Sequence, residues 1–270
     1  MDDLLETAIR AAQMGAEQLL KRWATISVRE KAPRDLVTDA DLASQEAIFS
    51  VLQRAFPDDQ LVGEEQGVAS HVPREVAAQG PKPRCWIVDP LDGTVNYVHR
   101  LQSFCVSIAL VEGDQLQVGV VLDPVTEELY VARRGQGASL ITDRGTRARP
   151  LRVSSCADLP QAMVACSFPA GVRRDAPEVG QFVAVLERCR ALRRLGSCAL
   201  NLCYLADGRI DGYWTQSVKP WDMAAGALLV EEAGGKITSM QGTPLQVWEA
   251  DFIAAATLQL HQQLQSVVTP

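Results

Sequence analysis

Residues 85–99 read CWIVDPLDGTVNYVH, and the rest of the chain can be organised around this segment. Its apolar start, Trp86-Ile87-Val88, is typical of a buried strand. Asp89 and Asp92 follow at the end of that strand, where an unpaired buried carboxylate costs several kcal/mol. A hard cation such as Mg²⁺ takes carboxylate oxygens as ligands. The pair therefore indicates a cation site at the end of a strand.

The residues around the two aspartates are conformationally constrained. Pro90 lacks an N–H group and restricts the residue before it, which helps to end the strand. Gly93 permits close backbone approach, and the N–H groups of Gly93 and Thr94 could cradle an anion if a helix begins there. The simpler interpretation is an Asp-Gly turn, which a lone dipeptide of this kind usually forms.

Three further acidic clusters accompany this segment, and each has an ordinary explanation. Glu64 and Glu65 follow the apolar pair 61–62 and fit a solvated turn. Asp222 opens an apolar helix, where the helix dipole favours an acid. Asp41 lies three residues after Thr38, the spacing of a helix capping box. None of these three clusters is specific for a metal site by itself.

The pattern along the chain predicts an α+β protein with helices early and late and strands between them. We expect a single domain over residues 1–270, with a weak internal boundary near residue 150. Apolar periodicity predicts helices over 4–23, 39–55, 178–191, 197–206, 221–233 and 258–267. Short β-branched runs predict strands at 85–89, 105–111, 117–123, 128–134 and 161–167, with shorter extended segments at 211–214, 236–239 and 252–256. Residues 105–134 are predicted to form an antiparallel meander, and 66–84 a surface loop.

Composition excludes several classes of protein. The chain has 270 residues, 47% of them hydrophobic, and a formal net charge of −7. These values fit a globular protein and argue against a general nucleic-acid binder, which normally has a basic surface. Seven cysteines without a CxxC pair indicate reduced thiols and a cytoplasmic location. The sequence has neither a secretory signal nor an apolar run long enough to cross a membrane.

Taken together, the acidic clusters resemble the inositol monophosphatase family of metal-dependent phosphatases. The resemblance spans about residues 5–260, in the order and spacing of that family. The matching stretches are Lys31 with DLVTDAD (35–41), GEE (63–65), WIVDPLDGTVNYVH (86–99), GSCALN (196–201) and PWDMAAG (220–226). The family fold is a layered αβαβα sandwich, the protein is usually a homodimer, and two or three Mg²⁺ ions serve as cofactor.

The resemblance also implies roles for individual residues. The implied metal ligands are Glu64, Asp89, the Leu91 carbonyl, Asp92 and Asp222. Thr94 and Asp41 match the pair that activates the attacking water, and Glu64 also counts among the catalytic residues. The positions implied at the substrate are Glu64, Leu91, Asp92, Gly93, Thr94, Gly196, Ser197, Cys198 and Asp222.

The expected reaction is hydrolysis of a small hydroxylated phosphate monoester, first of all inositol monophosphate. Thr215 departs from this expectation, because inositol-hydrolysing members usually have a glutamate there that contacts inositol hydroxyls. Losing a charge-assisted hydrogen bond typically costs about 1.5–3 kcal/mol. Histidinol phosphate, fructose 1,6-bisphosphate and 3′-phosphoadenosine phosphate are alternative substrates. A non-catalytic regulator that binds metal and phosphate is the alternative of a different class.

Overall fold

The structure, a computed structural model, describes residues 3–32, 35–66, 83–169, 171–216, 218–249 and 251–269. The helices within these ranges are α1 (Asp3–Arg22), α2 (Asp39–Ala55), α3 (Thr94–Val98), α4 (Pro177–Leu186), α5 (Cys198–Ala206), α6 (Pro220–Glu232) and α7 (Leu258–Val268). None of the helices in this described part is long and apolar enough to cross a bilayer.

Seven strands form the first sheet, in the order β3-β4-β5-β6-β7-β8-β9. They are β3 (Gln60–Gly63), β4 (Arg84–Asp92), β5 (Cys105–Glu112), β6 (Gln115–Asp123), β7 (Glu128–Arg133), β8 (Gly137–Thr142) and β9 (Arg147–Pro150). β3 pairs with β4 in parallel, and every later pair is antiparallel. The meander predicted over 105–134 is confirmed as β5, β6 and β7.

Five strands form the second sheet, in the order β11-β10-β12-β14-β13. They are β10 (Met163–Ser167), β11 (Ala191–Arg193), β12 (Gly212–Thr215), β13 (Lys236–Ser239) and β14 (Phe252–Ala255). β10 runs parallel to both β11 and β12, while β14 is antiparallel to its neighbours. Short strands β1 (Val28–Ala32) and β2 (Asp35–Thr38) form a separate antiparallel pair.

The elements stack in five layers. Helices α1 and α2 cover one face of the first sheet, α5 and α6 lie between the two sheets, and α4 and α7 cover the outer face of the second. Three apolar cores fill the spaces between these layers. Helix α6 rests directly on β6, because a Cβ atom at Gly119 would lie 2.7 Å from the Ala225 carbonyl oxygen. The predicted α+β class and its αβαβα layering are confirmed.

Some predicted boundaries are wrong. The helix predicted over 178–191 ends at Leu186, and its last predicted residue begins strand β11. The polar stretch after α1 forms β1 and β2, and the turn-rich stretch before residue 150 contains β9, whose four residues are all exposed. β9 therefore has no buried face to give it an apolar alternation, and β2 offers only the apolar pair Leu36 and Val37. The loop predicted over 66–84 lies mostly outside the described residues.

Candidate active site

A bulge at the end of β4 places Asp89 and Asp92 on one face of the sheet. Side chains alternate along a strand, so two residues three positions apart point to opposite faces. Asp89 pairs with Ser107 and Asp92 with Cys105, so three steps on β4 face two steps on β5. The extra residue reverses the alternation once and brings both carboxylates to the same side. The Pro90 carbonyl within the bulge accepts a hydrogen bond from Ser44 of α2 at 2.9 Å.

Asp222 joins this pair from helix α6. Ser107, which pairs with Asp89, donates to the Trp221 carbonyl at 3.3 Å and fixes the start of α6 beside the bulge. The Asp222 carboxylate also accepts from the N–H of Lys219, completing the helix capping expected of this position. This capping contact leaves Asp222 near enough to Asp89 and Asp92 for the three carboxylates to repel one another.

Burial and mutual repulsion perturb all three aspartates. Asp89 and Asp92 are only 1% and 7% exposed. Burial, with the charge of Glu64 next, holds the pKa of Asp89 well above its ordinary value. Burial, with repulsion from Asp92 next, raises the pKa of Asp222 to about 8. Burial raises the pKa of Asp92 to about 6, opposed by hydrogen bonds from Ser197 and the start of α5. Carboxylates held in this way favour a nearby positive charge.

Glu64 approaches the same point from the end of β3. Because β3 runs parallel to β4, with Gly63 opposite Val88, the carboxyl ends of the two strands lie side by side. A Cβ atom at Gly63 would collide with the Gln45 side chain, whose amide oxygen accepts from the Glu65 N–H at 3.0 Å. Glu64 contributes to the raised pKa of each of the three aspartates, which places it within electrostatic reach of them all.

Thr94 and Asp41 are hydrogen-bonded to each other, as the resemblance implies. The Thr94 hydroxyl lies 3.3 Å from Asp41 Oδ1 and 3.1 Å from the Leu91 carbonyl oxygen. Asp41 is fully buried, and its Oδ2 accepts from the Thr38 hydroxyl at 2.5 Å and the Thr38 N–H at 2.8 Å. The capping box predicted for Thr38 and Asp41 is thus present. It holds one oxygen of Asp41 and leaves the other directed at Thr94.

Gly93 turns the chain from β4 into α3. Its φ of +94° lies in the left-handed region, and a Cβ atom there would sit 2.8 Å from the Ser103 carbonyl oxygen. Both observations require glycine at this position. Helix α3 begins at Thr94, directly after this turn.

The segment 196–198 lies against Asp92. Gly196 has a φ of +88° and packs on the Asn96 amide, which donates to the Leu195 carbonyl at 2.8 Å. Ser197 donates to Asp92 Oδ2 at 2.5 Å, and the N–H groups of Cys198 and Ala199 donate to Asp92 at 3.2 and 2.7 Å. The resemblance places Ser197 at the substrate, whereas here its side chain contacts a metal-ligand candidate. The contacts of Asn96 and Ala199 are not evident from the sequence.

The donor set fits Mg²⁺ in its chemistry. Four carboxylates and the Leu91 carbonyl supply only oxygen, which suits a hard divalent cation and not zinc. Three of these carboxylates have raised pKa values, so a bound cation would relieve both their repulsion and their desolvation. Within the described ranges, no three His, Cys, Asp or Glu side chains converge closely enough to count as a complete ligand group. Like charges oppose closer convergence.

Comparison with known proteins identifies the family. The sequence model of the inositol monophosphatase family matches residues 1–269. The chain belongs to the inositol monophosphatase family. A relative named Nus factor SuhB, from Pasteurella multocida, is 37% identical over 95% of this chain and 92% of its own length.

Two solved structures are similar over nearly the whole chain. The extragenic suppressor protein suhB from Bartonella henselae has a TM-score of 0.87 at 31% identity, covering 99% of both chains. The inositol monophosphatase from Anabaena has a TM-score of 0.81 at 33% identity, covering 98% of this chain and 94% of its own. Membership of the family supports a phosphatase fold and metal binding in general.

Thr215 is where this member of the inositol monophosphatase family differs from the expected pattern. The residue ends β12 and is 1% exposed. Its hydroxyl lies 3.4 Å from the carbonyl oxygens of Ser167 and Gln216, so it is engaged with the backbone of its own sheet. A side chain buried in this way offers no charged group to a polyol at the carboxyl end of β12.

Proposed function

We propose that this chain is a Mg²⁺-dependent phosphomonoesterase acting on a small hydroxylated phosphate monoester, with inositol monophosphate as the first candidate. The observation that carries the proposal is that the bulge puts Asp89 and Asp92 on one face of β4, with Asp222 at the start of α6 beside it and the hydrogen-bonded pair of Thr94 and Asp41 next to it. Phosphate monoester hydrolysis needs an oriented water and neutralised charge, and no nucleophilic side chain.

Each residue then has a task. Bound Mg²⁺ would lower the pKa of a coordinated water and neutralise charge on the phosphate and the leaving alkoxide. The residues that would hold it are Glu64, Asp89, Asp92, Asp222 and the carbonyl of Leu91. Thr94 accepts a hydrogen bond from the attacking water and donates its own hydrogen to Asp41. Asp41 cannot turn away, because Thr38 holds its other oxygen.

The hydrogen of Thr94 has two acceptors, Asp41 Oδ1 and the Leu91 carbonyl. If the Leu91 carbonyl serves as a metal ligand, its lone pairs face the cation and Asp41 becomes the better acceptor. This arrangement directs the remaining lone pairs of Thr94 toward the water. Metal binding and water orientation would then be coupled through a single hydroxyl group.

The alcohol part of the substrate is less constrained. Because Thr215 is neutral and buried, the polyol contact expected of inositol-hydrolysing members is missing at this position. Histidinol phosphate, fructose 1,6-bisphosphate and 3′-phosphoadenosine phosphate therefore remain as alternative substrates. We also propose a homodimer in the cytoplasm, with no nucleic-acid or membrane partner, as the sequence led us to expect.

The test is phosphate release with Mg²⁺ from inositol 1-phosphate and the three alternatives. We expect turnover of at least one of them by the wild-type protein and loss of turnover in Asp92→Asn, with circular dichroism showing that the variant is folded. Near-normal activity of Asp92→Asn at modest Mg²⁺ would contradict the metal assignment. A wild-type protein without activity on any of these substrates would contradict the enzymatic proposal.

The names of the relatives favour a second candidate. Several proteins that are 35–37% identical to this chain are named Nus factor SuhB. That name does not describe a phosphatase. A non-catalytic regulator that binds a partner through this scaffold is the corresponding proposal. The phosphate-release test separates the two, because an enzyme releases phosphate from at least one of the four substrates and a non-catalytic regulator releases none.

A further inference from the structure

We infer that Ser197 is a positioning residue that fixes the orientation of the Asp92 carboxylate and leaves Oδ1 as the oxygen that faces a bound cation. The inference rests on the proposed function, since it concerns a ligand of the same Mg²⁺ site. It departs from the sequence-based expectation that Ser197 contacts the substrate.

The hydrogen of the Ser197 hydroxyl has one destination. Ser197 is the N-cap of α5, and its Oγ accepts the N–H of Leu200 at 3.2 Å. A hydroxyl group has a single hydrogen, and Asp92 Oδ2 lies 2.5 Å from Oγ. The sulfur of Cys105, 3.8 Å away, is a much weaker partner than a carboxylate. The Ser197 hydroxyl thus caps α5 with its oxygen and donates its hydrogen to Asp92 at the same time.

The hydrogen bonds to Asp92 are distributed unequally between its two oxygens. Oδ2 accepts from the Ser197 hydroxyl, from the Ala199 N–H at 2.7 Å and weakly from the Cys105 thiol at 3.8 Å, whereas Oδ1 accepts from the Cys198 N–H at 3.2 Å. A carboxylate oxygen has about two in-plane lone-pair positions. Counting donors from the described residues, Oδ2 has both positions filled and Oδ1 keeps one for a cation.

This orientation needs an external constraint. The last torsion of an aspartate side chain is broad, so the carboxylate plane is poorly fixed by its own rotamer preference. Asp92 lies on the first sheet, while its donors lie at the start of α5, which follows strands β10 and β11 in the chain. Asn96 fastens the same segment from the other side through Leu195. Ser197, in the second half of the chain, therefore orients the carboxylate of Asp92, a metal-ligand candidate in the first half.

The experiment separates the two tasks of Ser197. Glycine caps a helix at a cost of only a few tenths of a kcal/mol relative to serine, so Ser197→Gly keeps the cap and removes the hydroxyl. Ser197→Thr keeps the hydroxyl. Thr257→Gly is the matched control, because Thr257 caps α7 through the same 3.2 Å contact with the N–H at the third helical position.

The readout is binding of Mg²⁺ alone, by calorimetry, together with the rise in Tm that Mg²⁺ produces. We expect Ser197→Gly to bind Mg²⁺ about 10–100-fold more weakly, the usual effect of removing a partner of a metal ligand. Ser197→Thr should bind within about threefold of wild type, and Thr257→Gly should bind as wild type does. If Ser197→Gly does not fold, Ser197→Ala gives the same deletion with a more rigid residue.

Unchanged or tighter Mg²⁺ binding in a folded Ser197→Gly or Ser197→Ala variant would reduce Ser197 to a helix cap and overturn the inference. Weaker binding in Thr257→Gly by the same factor would do so as well, because the effect would then follow from any lost cap. A wild-type protein that binds no Mg²⁺ and releases no phosphate would instead overturn the proposed function, and the two failures are distinguishable.

Discussion

The Thr94 hydroxyl has one hydrogen and two possible acceptors, Asp41 Oδ1 and the Leu91 carbonyl oxygen. The alternative to a catalytic role is that Thr94 is simply the first residue of α3. If it activates water with Asp41, Thr94→Ala and Asp41→Asn should each lower kcat by at least about 10²-fold, the lower range for general-base assistance. The double variant should be scarcely worse than either single one, because residues that act as a unit are not additive. Steady-state kinetics at saturating Mg²⁺ measures all three.

The control for this pair is stability. Asp41 also caps α2, so Asp41→Asn is expected to lower Tm by a few degrees without explaining a loss of kcat. Multiplying losses in the double variant, or lower stability with unchanged kcat, would mean that the two residues only cap helices.

The ionised carboxylate of Asp222 should destabilise the metal-free protein, because it is buried beside other acidic side chains. Its raised pKa means that the fold disfavours the ionised carboxylate, so neutralising it should stabilise the metal-free protein. In EDTA, Asp222→Asn is expected to raise Tm by at least about 2 °C, which corresponds to roughly 1 kcal/mol for a chain of this size. The same variant should lose most of the Tm rise produced by Mg²⁺.

Differential scanning fluorimetry with and without Mg²⁺ checks both parts. Glu232→Gln is a suitable control, because this carboxylate lies remote from the acidic cluster and accepts from the N–H groups of Gly135 and Gly137. A lower Tm for Asp222→Asn in EDTA would show that its capping contact with Lys219 outweighs the repulsion.

For individual residues, the sequence predicts which residue types need a charged partner. It does not predict the direction in which their side chains point. Asp89-Pro90-Leu91-Asp92 could be recognised because two carboxylates after an apolar strand need a partner. The bulge that puts both on one face could not, because it depends on the register of β4 against β5. The direction of the Ser197 hydroxyl likewise depends on where α5 begins relative to Asp92 on the first sheet.

Gly196 joins the loop before α5 to the site, and two separate effects require glycine there. Its φ of +88° disfavours any side chain, and a Cβ atom would lie 2.8 Å from the Asn96 amide nitrogen. Gly234 has almost the same φ, +89°, with no described atom within 4 Å of a Cβ atom. Gly234→Ala should therefore show the backbone cost alone, about 1–2 kcal/mol.

Gly196→Ala should cost more than Gly234→Ala and should also weaken phosphate release, because displacing Asn96 shifts the donors of Asp92. Chemical denaturation and the phosphate assay on both variants test this expectation. Equal losses of stability with full activity in both would mean that the loop tolerates the side chain by moving Asn96 without consequence.

Elements with an apolar face were predictable and those without one were not. The strands of the meander bury nearly every residue, so their β-branched runs predict them. β9 is exposed at all four positions and is recognisable only from its pairing with β8. Helix α4 ends where the chain turns to enter the second sheet as β11, and that turn has no proline or glycine to mark it.

His261 should contribute to the pH dependence of the stability of the whole molecule. Burial, with Lys236 nearby, lowers the pKa of this buried histidine, which lies 2.9 Å from the Thr238 hydroxyl. The unfolded chain then binds more protons than the folded one just below the ordinary histidine pKa of about 6.5. Stability is therefore lost as the pH falls through this value, down to the lowered pKa of the folded state.

In His261→Gln, the Tm at about pH 5.5 should be higher relative to the Tm at about pH 7.5 than it is in wild type, because the group whose protonation destabilises the folded state is gone. Thermal unfolding of the two proteins at both values is the measurement. An identical difference would assign the pH dependence to other groups, among which the site carboxylates act in the opposite direction.

The assembly is a separate prediction. The resemblance implies a homodimer, so light scattering at micromolar concentration should give about twice the 29.4 kDa of one chain. A mass near that of a single chain would contradict it. Exposed apolar side chains such as Leu101 and Leu186 are candidates for a contact surface, although single exposed residues of this kind are common.

The site is divided between the first sheet and the later helices α5 and α6, and this division has a consequence for synthesis on the ribosome. Strands β4 to β9 pair with their sequence neighbours, so the first sheet can assemble as the chain emerges, with three of the four acidic residues already in place. The donors that orient Asp92, at residues 197–199, and then Asp222 itself are translated well after the first sheet. A nascent chain thus carries negative charges without their partners until α6 leaves the exit tunnel, and the proposed metal site would be complete only from that point.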